Sequence, residues 1–196
     1  MRKIFLIATF LLAMLTATAF AAENEIYEYT SETYGFKITC PAKPIVVVNP
    51  FEDPNQKGEL LVFANDGMKI IYGFQILLDA FDTKAVPDFN KDSKKTIEAY
   101  LEEMRQDDAY EYVELLNVSK NNRGVIALTA KEISIIGEDG EVEGTLTADR
   151  QSAFTFFRTS SGRCISIQLL AEDFGEDNIN DYRKSVSTFR DANDKK

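Results

Sequence analysis

The chain has 196 residues, of which 32 are acidic, 22 are basic and none is histidine, and its formal net charge is −10. Such an acidic chain is repelled by nucleic acid phosphates and by anionic membrane surfaces, so neither is an expected partner. The lack of histidine excludes Ser-His and Cys-His nucleophile pairs and most catalytic zinc sites. A hydrophobic content of 44% is ample for a folded core.

The N-terminus has the pattern of a secretory signal peptide. Arg2 and Lys3 precede an apolar run at 4–15, and small residues follow at 16–21. The run is shorter than the roughly 20 apolar residues that a membrane span needs, although an uncleaved anchor helix is the alternative. We predict cleavage after Ala21, which leaves one domain over 22–190 and a charged, frayed tail over 191–196. The mature chain is then expected in the periplasm or the medium, without a lipid anchor or an integral membrane segment.

Alternating and β-branched runs predict strands in the first half of the chain, at 25–30, 34–40, 45–48, 60–64 and 69–78. Residues 50–58 have loop composition. The last two strands flank an Asn-Asp-Gly sequence, which is typical of a tight hairpin turn. The strand at 69–78 is apolar on both faces, which predicts a position inside the sheet.

A helix is predicted after Ser93, its N-cap, because apolar residues recur at helical spacing as far as Gln106. A second helix is predicted at 179–189 from the same periodicity. Further strands are predicted between the two helices, at 111–118, 124–136, 147–158 and 163–171. Consecutive hairpins favour a largely antiparallel sheet, against which both amphipathic helices must pack, so the fold class is α+β.

Several motifs occur in a recognisable order along the chain. The first is a Tyr-Gly-Phe strand at 34–41, which is closed by a proline. The helix at 96–104 and the strands at 113–118, 124–131 and 163–170 follow, and Ser-Thr-Phe-Arg at 187–190 comes last. In this order the motifs resemble the PsbP-like family, which is named after an extrinsic subunit of photosystem II. The resemblance implies a three-layer α/β/α sandwich around an antiparallel sheet. It also implies an assembly or docking role, since members of the family mostly act in that way.

Cys40 and Cys164 are the two cysteines of the chain. A pair in an exported protein favours a disulfide, because the compartment is oxidising. Strand parity argues against the bond, since Cys40 shares a strand face with Phe36 and Ile38, whereas Cys164 shares one with polar side chains. The sequence leaves both states open.

Carboxylates are the only abundant side chains with catalytic or ligating chemistry. One cluster surrounds a turn and consists of Glu138, Asp139, Glu141 and Glu143, and a second cluster lies at 172–177. Oxygen ligands suit calcium or manganese, but neither cluster has the spacing of an EF-hand. Solvated acidic loops are the simpler interpretation.

Aromatic side chains offer a second kind of candidate surface. Tyrosines at 27, 29, 34, 100, 110, 112 and 182 could line an interface or pack in the core. Arg150 and Arg158 flank a Phe-rich strand and are interpreted either as contacts for an anionic partner or as outward positions on an edge strand.

No cofactor motif and no defensible catalytic pair emerges from the sequence. We therefore predict a non-catalytic exported module that docks onto a protein or cell-envelope partner. The alternative is a carboxylate-based binder of a divalent metal or a small ligand.

Overall fold

The computed structural model describes residues 26–64, 70–119, 122–136, 142–147, 151–171 and 176–194. The first strands are β1 (Tyr27–Thr30), β2 (Lys37–Cys40), β3 (Ile45–Val48), β4 (Lys57–Ala64) and β5 (Ile70–Leu78). Helix α1 (Lys94–Gln106) follows. The remaining elements are β6 (Tyr110–Ser119), β7 (Asn122–Thr129), β8 (Glu132–Ile136), β9 (Val142–Thr147), β10 (Ala153–Arg158), β11 (Cys164–Ala171) and helix α2 (Glu176–Ser187).

The main sheet is antiparallel throughout and has the strand order β3-β4-β5-β11-β10-β7-β6. Strand β5 lies between β4 and β11, which confirms the inner position predicted from its apolar residues. Strands β4 and β5 pair as the predicted hairpin, with Ala64 opposite Ile70. The turn residues 65–69 lie outside the described part of the chain.

The two helices cover opposite faces of this sheet. Ile97, Leu101 and Met104 of α1 pack against Val113, Val125, Ala127 and Phe156 on one face. On the other face, Tyr182 and Val186 of α2 join the core, with Phe74, Ile76 and Ile167. Side chains alternate between the faces of a strand, so one sheet supplies both cores. The α+β class and the three-layer arrangement are confirmed.

Two predicted strands differ from the structure. The 124–136 segment splits into β7 and β8, and the 147–158 segment shortens to β10. Strand β9 is not predicted from the sequence, apart from its last residue, Thr147. The main-sheet ladder stops at Thr129, whose hydroxyl oxygen accepts a hydrogen bond from the Ser152 amide at 2.8 Å. Strands β8 and β9 then pair with each other in a separate ribbon. Periodicity alone does not distinguish a long strand from two short ones in different sheets.

The C-terminal strap, residues 190–194, is docked against the rest of the fold. The charged composition predicts a frayed tail over 191–196, and this prediction is wrong for residues 191–194. Arg190 pairs with Lys37 through two backbone hydrogen bonds of 2.8 and 2.9 Å. Asp191 is buried and forms an ion pair with Arg163 at 3.2 Å. A tail that satisfies buried polar groups is held by them, whatever its charge.

Cys40 and Cys164 are both free and buried, so the disulfide is not formed in this structure. Cys40 lies in the core beneath α2. Cys164 precedes Ile165, which belongs to that same core, and its side chain therefore points to the opposite face of the sheet. The main sheet separates the two thiols, as the parity argument predicts.

Candidate docking groove

A groove runs along α1, between this helix and the loop at 83–87. It consists of two adjoining cavities of about 390 and 220 Å³, and both are lined by Tyr100 and Glu103. The larger cavity lies beside the first half of the helix, and the smaller one extends towards Asp107 and Tyr110. The groove therefore follows the helix axis and is longer than either cavity alone.

The loop that forms one wall is fixed by residues distant in sequence. Arg158, at the end of β10, donates hydrogen bonds to the carbonyl oxygens of Thr83 and Val86. Asn90 donates to the Arg158 carbonyl at 3.2 Å and accepts a bond from the Arg123 amide at 2.7 Å. These bonds hold the wall in place without any regular secondary structure.

Aromatic rings form the floor of the groove and the layer behind it. Their centroids lie between 5.9 and 6.3 Å apart, in tilted, edge-on and stacked contacts, and the rings belong to Phe81, Phe89, Tyr100, Tyr110, Phe154 and Phe156. Phe89 is 1% exposed and anchors the loop. Tyr100 and Tyr110 are half-buried and line the cavities. A cluster packed in this way gives the groove a rigid aromatic base, of which Tyr100, Tyr110 and Phe156 line the cavities.

Acidic side chains form the rim. Asp92 and Glu103 line the larger cavity, and Asp107 lines the smaller one. Within the part of the chain that the structure describes, none of the three forms an ion pair. Lys84 is the one basic residue among the described residues that line the groove.

The two groove tyrosines are neutral hydrogen-bonding groups. Burial raises the pKa of Tyr100, and the neighbouring Tyr110 and Glu103 raise it further. Burial and Asp107 raise the pKa of Tyr110. The groove therefore combines apolar ring surface, phenolic hydroxyls and carboxylates.

The structure does not gather the candidate tyrosines into one surface. Tyr100 and Tyr110 both line the groove. Tyr182 is fully buried, where its hydroxyl donates a hydrogen bond to the Ile167 carbonyl at 2.6 Å and forms a second one with the Thr155 hydroxyl at 2.9 Å. Tyr112 is exposed, and the guanidinium carbon of Arg183 lies over the Tyr112 ring, 5.5 Å from the ring centroid.

Of the two interpretations of the Phe-rich strand, the edge-strand position is wrong. Strand β10 pairs with both β7 and β11 and is therefore not an edge strand. Its Arg158 is used to hold the groove wall. Arg150 lies outside the described residues.

Most residues of the two predicted acidic clusters lie outside the described part of the chain. Glu138, Asp139 and Glu141 lie outside the described residues, as do residues 172–175 of the second cluster, and Glu143 is placed in β9 by its backbone alone. Among the residues that are described, no group of three Cys, Asp or Glu side chains is placed to hold a metal ion. The carboxylate metal site stays a prediction.

Sequence reasoning missed the rim of the groove. Glu103 follows Tyr100 by three residues, a spacing that places both on one side of a helix, and this was the available signal. Lys84 and the loop around it carried no signal, because the contacts that hold the loop come from residues about 70 positions away.

No helix within the described ranges is both long enough and apolar enough to cross a membrane. No protein-family model matches the chain, and no curated protein matches it. Its fold is similar to the solution structure of cyanobacterial PsbP (CyanoP) from Synechocystis sp. PCC 6803, with a TM-score of 0.49. The two share 11% sequence identity over 90% of this chain and 98% of that chain. This is a similarity of fold alone, and membership of the PsbP-like family stays a prediction.

Proposed function

We propose that this chain is an exported, non-catalytic docking module that binds a protein of the cell envelope through the groove along α1. The observation that carries the proposal is the aromatic floor, in which Tyr100, Tyr110 and Phe156 line an open channel. Tyrosine and phenylalanine are enriched in the centres of protein interfaces, because they bury a large area at a low cost in conformational entropy.

The shape of the groove supports a protein partner. Pockets for small molecules usually enclose most of the ligand surface. Here two shallow cavities adjoin along a helix, and a segment of polypeptide matches that shape. The wall is held by Arg158 and Asn90, so little ordering entropy is lost when the partner binds.

Export and the lack of a catalytic role are supported by the sequence. The predicted signal peptide directs the chain out of the cytoplasm. Histidine, the commonest general base near neutral pH, is absent.

Affinity capture tests the proposal. The tagged mature chain is incubated with an envelope extract, beside the variants Tyr100→Leu and Tyr112→Leu. Tyr100 lines the groove, whereas Tyr112 is an exposed tyrosine on β6. We expect a protein that is captured by the parent chain and by Tyr112→Leu and lost with Tyr100→Leu. Equal capture by all three chains would remove the groove from the proposal, and no specific capture by the parent would remove the docking role.

A further inference from the structure

We infer that the segment bound in the groove is a basic, extended stretch of the partner, with a lysine or arginine side chain seated at Tyr100 and Glu103. This inference rests on the proposed docking function and specifies the chemistry of the partner. It follows from the distribution of charge, from the pairing of Tyr100 with Glu103 and from the length of the groove.

The rim carries three carboxylates against one lysine, Lys84. Two other carboxylates of α1 do have a cationic partner, since Glu98 and Glu102 contact Arg105 at 2.8 and 3.6 Å. Asp92, Glu103 and Asp107 have none among the described residues. An excess of negative charge along a groove attracts a ligand of the opposite sign and disfavours an acidic one.

Tyr100 and Glu103 form a suitable seat for one cation. They are three residues apart on α1 and therefore neighbours on one helix face. Both line both cavities, which places them at the middle of the groove. An ammonium or guanidinium group there would meet an aromatic ring and a carboxylate together, a combination that strengthens cation binding.

The length of the groove indicates an extended segment. The lining residues of α1 and its ends run from Asp92 to Asp107. At 1.5 Å per helical residue this is about 22 Å. An extended chain rises about 3.3 Å per residue, so about seven residues of the partner would fill it.

The test uses the full mature chain and a labelled seven-residue probe in which lysine alternates with serine, with fluorescence anisotropy as the readout. A matched peptide carries glutamine in place of each lysine. We expect the lysine peptide to bind, its affinity to fall as salt is added, and the glutamine peptide to bind at least about fivefold more weakly.

Charge variants locate the site. Lys84→Glu makes the groove more acidic and should tighten binding of the lysine peptide about two- to fivefold, a gain that a folding defect cannot produce. Lys184→Glu is the control, because it makes the same change in net charge on α2, at the opposite face of the sheet. Glu103→Gln should weaken binding about fivefold, and Glu98→Gln, outside the groove, should leave it within about 1.5-fold.

Three results would overturn the inference. Equal binding of the lysine and glutamine peptides would show that charge does not select the partner. Equal effects of Lys84→Glu and Lys184→Glu would show a response to net charge alone. Full competition by spermidine at the concentration of the peptide would show a site for free polyamines. Each of these results leaves the affinity capture unaffected, so failure of the inference can be told from failure of the docking function.

Discussion

Strands β1 and β2 pair as a separate two-stranded antiparallel sheet, and Glu59 links this sheet to the main sheet. Glu59 lies on β4 and is 1% exposed. The Tyr29 hydroxyl donates to one of its side-chain oxygens at 2.8 Å, and the Ser31 hydroxyl donates to the other at 2.7 Å. Ser31 in turn accepts a hydrogen bond from the Tyr34 amide at 2.9 Å. A buried polar group with both oxygens satisfied stabilises the fold, and one with a lost partner destabilises it.

The substitution Tyr29→Phe removes one donor to Glu59 and keeps the ring. We expect the free energy of unfolding to fall by about 1–3 kcal/mol, because a buried acceptor loses its partner. Denaturant unfolding of the mature chain measures the change. Tyr27→Phe is the control, since Tyr27 is an exposed tyrosine on the same strand, and it should be close to neutral. Equal effects of the two substitutions would contradict the role of Glu59.

Both cysteines are expected to be free and protected thiols. Burial raises the pKa of Cys40 to about 12, and it also raises the pKa of Cys164, against the lowering effect of Arg158. Thiolates react with alkylating agents and thiols do not. Iodoacetamide at pH 8 should therefore label the folded chain slowly. Once the chain is unfolded without a reductant, the reagent should add one group to each of the two cysteines. A mass without any added group in the unfolded chain would demonstrate a disulfide.

The C-terminal strap joins elements that are far apart in sequence. Asp194 accepts hydrogen bonds from the amide and the hydroxyl of Ser160, at 2.8 and 2.7 Å, in the turn between β10 and β11. Asn122, at the start of β7, donates to the other carboxylate oxygen at 3.3 Å. Together with the backbone pairing of Arg190 and Lys37, these bonds close the fold at its C-terminus.

Asp194→Ala removes this set of acceptors and should lower the free energy of unfolding by about 1–3 kcal/mol. Thermal or denaturant unfolding measures the loss. Asn193→Ala is the neighbouring control, because Asn193 is exposed and, among the described residues, its side chain makes only a long contact of 3.4 Å with Asp191. A strap that frays in solution would show no difference between the two variants.

The elements differ in how far the sequence could predict them. Helix α1 was predicted at its observed bounds, because its N-cap Ser93 and its apolar spacing are local signals. The split between β7 and β8 was not predicted, since it depends on where the Ser152 amide meets Thr129. The groove was missed for the same reason, as its wall is held by Arg158 from a distant strand. Local patterns identify elements, and long-range hydrogen bonds decide where they stop.

Across the whole molecule, buried phenols and a buried thiol couple stability to alkaline pH. Burial raises the pKa of Tyr182, Tyr72, Tyr29 and Cys40 above their ordinary values of 10.0 for the phenols and 9.0 for the thiol. In the unfolded chain these groups ionise at their ordinary values. Their contribution to stability is therefore complete below about pH 9 and is lost as the pH rises from there through their folded-state values.

We expect these groups to leave the melting temperature unchanged up to about pH 9. Above that pH, the melting temperature should fall steadily as the pH rises. Thermal melts followed by circular dichroism between pH 7 and about pH 11 measure this. Tyr182→Phe should be less stable at pH 7, because it loses the bonds to Thr155 and Ile167, and should show a shallower decline. A parent chain with no decline above pH 9 would contradict the burial of these groups.

Site-specific photo-crosslinking in the producing cell detects a partner that is docked along α1. The photoreactive amino acid is placed at Ala99, which lines the groove, or at Ser187, an exposed residue of α2. Docking in the groove predicts a discrete adduct with one envelope protein from position 99 and none from position 187. The same adducts from both positions, or none from position 99, would contradict docking along α1.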